Sequence, residues 1–445
     1  MTSTAELYAL FKKHPLISTD TRKIIPGSLF FALKGEKFDA NTFAGQAIDA
    51  GAAYAIIDNP EYSSNEKCVL VADVLTALQD LARHHRQQLT IPVIGLTGTN
   101  GKTTTKELIN AVLSQRYKTL ATQGNLNNHI GVPLTILGID SSHEIAVIEM
   151  GANHQKEIEL LCSIALPTHG LITNVGKAHL EGFGGVEGVK KGKGELYDFL
   201  AASQGVAFIN SDSADLLTMQ RQRGLKKLEF YGTGNNGNTV TGSPVEDGPY
   251  LKLEWENNRS GRSYIVKTQL TGGYNLDNAL AAICIGVYFG LSDEAINAGV
   301  ESYQPKNNRS QIVKTTINTL ICDYYNANPS SMAVAIDNLG RISAEKKVMI
   351  LGDMFEMGED SPAEHAAIIK KAMEAPADER IFIGKDFFKA GESIFHDPSS
   401  MVKKPVFYNT AEEVISALKA NPIKNATILI KGSRGMALER LAELF

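Results

Sequence analysis

The run Val93-Ile94-Gly95-Leu96-Thr97-Gly98-Thr99-Asn100-Gly101-Lys102-Thr103-Thr104 constrains this chain more than any other stretch. An apolar strand enters it and glycines turn it. A helix follows, because Leu108, Ile109, Val112 and Leu113 recur at helical spacing. That order suits a nucleoside triphosphate. Small residues let successive backbone N–H groups curl round a phosphate, and the helix N-terminus adds its positive end. The expected phosphate-side residues are Gly98, Thr99, Asn100, Gly101, Lys102, Thr103 and Thr104. Lys102 can reach the β- and γ-phosphates, and the Thr103 hydroxyl can ligate Mg²⁺. Leu96 stands where the common G-x-x-x-x-G-K-[ST] loop has its first glycine, so this is a variant of that loop.

At 445 residues the chain exceeds one ordinary core, and two or three domains are expected. A formal net charge of −5 gives no electrostatic reason to expect a nucleic acid or a membrane surface as partner. Cys68, Cys162, Cys284 and Cys322 form no C-x-x-C pair and sit in or beside apolar runs, so buried free thiols are expected. The start, Met1 to Glu6, has no basic and apolar leader pattern, and no apolar run is long enough to span a bilayer. The expected location is the cytoplasm.

Residues 1–90 read as a small α/β domain with strands at 29–33 and 53–57. A helix over 74–87 carries Leu75, Leu78 and Leu81 on one face. Residues 91–305 alternate strands (92–96, 145–150, 170–174) with helices. This alternation predicts a parallel-rich sheet whose ligands gather at the carboxyl ends of its strands. The polar, glycine-rich stretch 232–248 reads as a surface hairpin and not as core, and 272–278 leads into an alanine-rich helix at 279–289. Pro305-Lys306-Asn307-Asn308 has linker composition. Residues 306–445 repeat the alternation, with strands at 320–324, 348–352, 381–384, 406–408 and 428–431 and helices at 329–339 and 363–373.

A phosphate loop alone does not separate kinases, ATPases, GTPases and ligases. Three further features narrow the choice. Ile145-Ala146-Val147-Ile148-Glu149-Met150-Gly151 puts a carboxylate at the end of an apolar strand. Burying it is costly unless it is paired or faces a cation, so Glu149 reads either as a Mg²⁺ ligand or as a capping or ion-paired glutamate. In Thr173-Asn174-Val175-Gly176-Lys177-Ala178-His179, the histidine is placed like a residue displayed over strand ends; a solvated loop histidine is the alternative. Lys190, Lys191 and Lys193 cluster just beyond it, and their plain reading is a basic, phosphate-friendly face. Trp255 is expected to serve packing only.

Together these features resemble the Mur ligase family of ATP-dependent amide-forming enzymes. Thr97-Gly98-Thr99-Asn100-Gly101-Lys102-Thr103 is similar to that family's phosphate loop, which accounts for Leu96. The resemblance implies three α/β domains: a small one for the UDP end of the substrate, a central P-loop ATPase-like one, and a Rossmann-like C-terminal one. It implies one Mg²⁺ at Thr103 and Glu149, and a second at His179 and a CO₂-carbamylated lysine matching Lys193, which lies four residues before Tyr197. A carbamate turns a repelled ammonium into an anionic oxygen ligand, and nearby cations favour it by lowering the lysine's pKa. Asn278 matches the family's adenine-side asparagine, and Arg309 and Asp323 its C-terminal nucleotide contacts. A helix cap and a solvated linker charge are the plain readings of Asn278 and Arg309.

Within the family the chain resembles the branch that adds D-alanyl-D-alanine. The runs that carry this are Asp323-Tyr324-Tyr325-Asn326-Ala327-Asn328-Pro329, Leu351-Gly352-Asp353-Met354-Phe355-Glu356-Met357-Gly358 and Lys431-Gly432-Ser433-Arg434-Gly435. Tyr324 departs from that branch, which commonly has a second aspartate there. The resemblance implies UDP-N-acetylmuramoyl-tripeptide and D-alanyl-D-alanine as substrates and a monomeric enzyme. It points to Thr21, Arg22, Thr122, Asn125, Asn127, Asn128, Asn326 and Asn328 as substrate-side residues. The implied chemistry is an acyl phosphate made from ATP and then attacked by the dipeptide amine, with domain closure excluding water. The rival readings are a neighbouring amide ligase (the preceding muramyl ligase or folylpolyglutamate synthase), a small-molecule kinase, and a non-catalytic nucleotide-binding module.

Overall fold

The structure is a computed structural model that describes residues 1–63, 65–234, 237–245, 250–305, 309–395 and 404–445. The chain folds as three successive α/β units. The first holds a parallel sheet in the order Ile17–Ser18, Leu29–Phe31, Tyr54–Ile57, Cys68–Leu70. Its helix Val74–Gln87 spans the predicted residues and buries Leu78 and Leu81, while Leu75 is half-buried. This helix also packs against Gly131–Leu137 and Glu157–Ala165 of the second unit. One apolar core therefore continues from Leu7 and Phe31 to Ile158 and Leu161.

The central sheet has nine strands, in the order Arg262–Thr271, Tyr250–Asn257, Val240–Val245, Lys227–Gly232, Val206–Asn210, His169–Ile172, Val93–Thr97, Ile145–Glu149, Thr119–Ala121. Neighbours from Val240–Val245 to Thr119–Ala121 pair in parallel; the two strands beyond Val240–Val245 are antiparallel. Every residue of Val93–Thr97 and Ile145–Glu149 is buried, as expected for strands covered on both faces. Strand order reverses at Val93–Thr97, so a crevice opens beyond its carboxyl end.

The surface-hairpin reading of 232–248 holds for the antiparallel pairing and for the exposed Ser243 and Pro244, but its exclusion from the core needs correcting. The described part of that stretch contains the strand Val240–Val245, which pairs with Tyr250–Asn257 in the main sheet. Val240 is fully buried against the helix Leu276–Tyr288 side of the core. Glycine and polar content misled because Gly242 lies close under Leu280, where a side chain would not fit. Trp255 is 1% exposed, stacks on Tyr264 and donates its indole N–H to Asn297 at 2.8 Å, a packing role as expected.

The third unit has six strands, in the order Gln311–Lys314, Thr319–Asp323, Thr427–Lys431, Lys347–Gly352, Glu379–Ile383, Val406–Tyr408. All but the first pair in parallel. The last strand of the chain inserts between Thr319–Asp323 and Lys347–Gly352, which sets Lys431 directly beside Asp323. Residues 306–308 of the expected linker lie outside the described residues. Cys162, Cys284 and Cys322 are buried free thiols, and Cys68 is free and half-buried. Among the described residues no helix is long and apolar enough to cross a membrane.

Candidate active site

The strand Val93–Thr97 delivers the chain into the phosphate loop, and the helix Lys102–Leu113 leaves it. Gly98 and Gly101 both have positive φ (147° and 78°). A Cβ on Gly98 would lie 2.0 Å from Thr173 Oγ1, and one on Gly101 would lie 2.6 Å from Asn278 Oδ1. Only glycine meets both conditions. The neighbouring strand end holds the loop in shape. Thr99 N–H donates to the Asn174 carbonyl at 3.0 Å, Asn100 N–H to Asn174 Oδ1 at 2.9 Å, and Thr173 Oγ1 to the Asn100 carbonyl at 2.6 Å.

Lys102 folds back over this loop and donates to the carbonyls of Gly98 (2.7 Å) and Thr99 (3.0 Å). Burial pushes its pKa down to about 8; the Glu149 carboxylate opposes that and Arg309 reinforces it. A half-buried cation whose bonds among the described residues are to neutral carbonyls is ready for an anion. Thr103 Oγ1 lies 2.9 and 3.2 Å from the two oxygens of Glu149, which is 1% exposed and also takes a 2.8 Å bond from Asn127 Nδ2. A hydroxyl and a buried carboxylate side by side form a hard-oxygen donor set that fits Mg²⁺.

His179 has φ 50° and hydrogen-bonds through Nδ1 to Glu356 of the C-terminal unit, itself at φ 62°. Burial lowers the imidazole's pKa, Glu356 resists, and the Lys102 and Lys193 charges add to the lowering. The three groups therefore share one electrostatic neighbourhood. Lys193 sits on the helix Val186–Ser203, is 2% exposed, and donates to the Ala152 carbonyl at 3.0 Å. Its pKa is well below the lysine range, first because of burial and only then because of Lys102; the sequence suggested cations alone. A neutral amine is the form that reacts with CO₂, so this environment fits a carbamate. Lys190, in contrast, is tied up with Glu187 and Asp215.

A cleft of about 1040 Å³ joins the central and C-terminal units. Thr99, Asn100, Gly101, Lys102, Thr104, Asn125, Asn127, Asn128, Glu149, His179, Asn278, Arg309, Asp323, Asn326 and Asn328 all line it. Gly98, Thr103 and Lys193 stand behind that surface, linked to it by the contacts above. Asn278 accepts from Thr105 Oγ1 at 2.9 Å as well as touching the Gly101 turn. Thr122 does not reach the cleft. It is fully buried, and its Oγ1 accepts the Glu149 backbone N–H at 3.0 Å. Thr21 and Arg22 lie outside this cleft, in a short turn where the 86%-exposed Arg22 side chain pairs with Asp20.

Several participants had no role assigned from sequence. Lys431 is 2% exposed, bonds Asp323 at 2.7 Å and the Asn326 carbonyl at 3.1 Å, and lines the cleft. The signal was present, since Lys431 ends an apolar strand just as Glu149 does. The Tyr325 ring carries the Arg309 guanidinium at 3.8 Å and the Arg434 guanidinium at 5.2 Å. Glu356 and Asn174 had no local signal, because their partners lie far away in the sequence. Tyr324, the departure from the branch pattern, is packed in the core.

Three family models match the chain in order: "Mur ligase family, catalytic domain" over residues 15–86, "Mur ligase middle domain" over 96–286 and "Mur ligase, glutamate ligase domain" over 308–434. The UDP-N-acetylmuramoyl-tripeptide–D-alanyl-D-alanine ligase of Bacillus subtilis is 35% identical over 96% of this chain and 92% of its own length. The crystal structure of MurF from Acinetobacter baumannii superposes with a TM-score of 0.86 at 33% identity, covering 96% of this chain and 92% of that one. MurF ligase from Thermotoga maritima, solved in complex with ADP, gives a TM-score of 0.84 at 26% identity over 100% and 98% of the two chains. With the phosphate loop, the strand-end carboxylate and all three α/β units in place, the chain belongs to the Mur ligase family.

Proposed function

We propose that this protein joins D-alanyl-D-alanine to the free carboxylate of UDP-N-acetylmuramoyl-tripeptide, converting ATP to ADP and phosphate. The reading rests above all on one cleft in which the phosphate loop, Glu149 and His179 face Asn326, Asn328 and Arg434 of the C-terminal unit. Residues 1–90 hold the UDP end through Thr21 and Arg22. Residues 91–305 bind ATP, and 306–445 supply nucleotide contacts and the dipeptide site.

The substrate carboxylate attacks the γ-phosphorus, ADP leaves, and an acyl phosphate forms. The dipeptide amine then attacks the activated carbonyl, phosphate departs with the C–O bond electrons, and the proton shed by the nitrogen ends on that phosphate. Lys102 offsets charge as two anions meet, and the N–H groups that open the helix Lys102–Leu113 fix the phosphates for in-line transfer. Asn278 sits on the adenine side, with Arg309 and Asp323 closing on the nucleotide from the C-terminal unit. Asn125, Asn127 and Asn128 meet the muramoyl substrate, while Thr122 keeps Glu149 in place beneath them. Asn328 reaches across to Asn100 Oδ1 at 2.8 Å, which ties the dipeptide side to the phosphate loop and helps exclude water from the acyl phosphate.

Thr103 and Glu149 would hold one Mg²⁺, and His179 with carbamylated Lys193 a second; bound there, the ions would neutralise phosphate charge. The substrates are small molecules, the reaction is a cytoplasmic step in peptidoglycan precursor synthesis, and the enzyme acts as a monomer, as the family resemblance implies.

Purified protein supplied with ATP, Mg²⁺ and the UDP-tripeptide tests this reading, with D-alanyl-D-alanine compared against single amino acids. Phosphate release and a product mass increased by one dipeptide, only with the dipeptide, are expected. A product carrying phosphate, or ligation of a single amino acid instead, overturns the reading in favour of a kinase or a neighbouring ligase.

A further inference from the structure

Lys106 is fully buried, and the chemistry described so far gives it no task. It lies four residues after Lys102, one turn along the helix Lys102–Leu113, with its ammonium turned inward. Nζ donates to the Thr122 carbonyl at 2.5 Å and pairs with Glu107 at 2.8 Å. An apolar side chain of similar volume is often as good or better for stability at such a site, so a retained buried charge calls for another reason.

The reason lies in what the bond closes. Thr122 Oγ1 accepts the Glu149 backbone N–H, the Glu149 carboxylate accepts from Thr103 Oγ1, and Thr103 shares the helix with Lys106. Helix, strand end and loop thus form one hydrogen-bonded circuit running Lys106–Thr122–Glu149–Thr103. Without Lys106 the loop that begins at Thr122 keeps no direct hydrogen bond to the phosphate-loop helix among the described residues, and reaches it only through the Glu149 carboxylate that Asn127 and Thr103 share. That loop continues directly into Asn125, Asn127 and Asn128 on the cleft wall.

We infer that Lys106 is a positioning residue for the ligation: it sets the register between the phosphate-loop helix and the loop that meets the acceptor substrate. It touches neither substrate and acts through Thr122 and Glu149. The inference rests on the proposed reading of the cleft. That reading is tested by the wild-type reaction itself, whereas this one is tested only by variants of an active enzyme.

The variants are Lys106→Met, which keeps the length of the side chain and removes the donor, Thr122→Val, which removes the hydroxyl, and the double variant. For Lys106→Met we expect a thermal midpoint close to wild type. Its kcat should fall about 10-fold or more, through a shift of aligned groups, and the KM for the UDP-tripeptide should rise more than the KM for ATP. The double variant should lose little beyond the worse single variant, as residues acting as a unit do. Wild-type kcat and KM in Lys106→Met would overturn the inference. So would a lowered thermal midpoint with unchanged kinetics per folded enzyme. If Lys106→Met does not fold, Lys106→Gln, whose shorter amide replaces the ammonium, decides: a selective rise in KM for the UDP-tripeptide supports the inference, and unchanged kinetics overturns it.

Discussion

The Thr103 hydroxyl lies within hydrogen-bonding distance of both oxygens of the Glu149 carboxylate, at 2.9 and 3.2 Å, although the two residues are 46 positions apart. Parallel pairing of Val93–Thr97 with Ile145–Glu149 produces this contact, because it places two carboxyl ends side by side. A buried carboxylate kept at that point serves an incoming cation better than it serves the fold. Glu149→Gln should therefore leave the thermal midpoint unchanged or higher, since it removes a buried charge. The same variant should lower kcat about 100-fold and raise the Mg²⁺ concentration needed for half-maximal rate. Thermal melts and a Mg²⁺ titration check both parts.

Lys102 gives ATP binding a pH dependence of definite sign. Its pKa in the free enzyme is about 8, and a bound phosphate raises it. Affinity should stay level below pH 8 and weaken as pH rises through 8, with binding in that range taking up protons. Calorimetry in buffers of different ionisation enthalpy reads the uptake. Lys102→Ala should lose both the uptake and about 1000-fold or more in turnover.

Lys193 predicts a chemical rescue. Lys193→Ala should lose activity and regain part of it with acetate or another small carboxylate, which can enter the space left by the longer side chain. Wild-type rate should also fall in CO₂-depleted buffer and recover on adding bicarbonate. Full activity of Lys193→Ala without additive would show that the carbamate lies elsewhere or is not used.

The Asp323–Lys431 pair is buried on the lysine side, at 2% against 17% exposure. Among the described residues Asp323→Ala leaves Lys431 with the Asn326 carbonyl alone, and it should destabilise the protein by about 3 kcal/mol. Adding Lys431→Met should recover much of that loss. Urea unfolding of Asp323→Ala, Lys431→Met and the double variant measures it, and additive losses would contradict the coupling.

Local chemistry in the sequence was enough for the elements whose signals are local. The helix Val74–Gln87 has its stripe and its Asp73 cap, and the phosphate loop has its glycines. Glu149 was legible because a charge ending an apolar strand needs a partner. Lys431 carried the same signal, but its partner Asp323 lies 108 residues away and only the inserted last strand brings them together. Glu356 could not be found from its neighbours, since its meaning comes from His179 across the cleft. The strand Val240–Val245 looked like surface because its glycine reports a close approach by Leu280 and not a turn.

Transfer of oxygen from the acceptor carboxylate to the released phosphate tests the central chemistry most directly. With UDP-N-acetylmuramoyl-tripeptide labelled by ¹⁸O in its terminal carboxylate, mass spectrometry should find one labelled oxygen in phosphate for each labelled carboxylate oxygen lost on amide formation. Unlabelled phosphate beside a newly formed amide would contradict an acyl phosphate, and with it this account of the cleft.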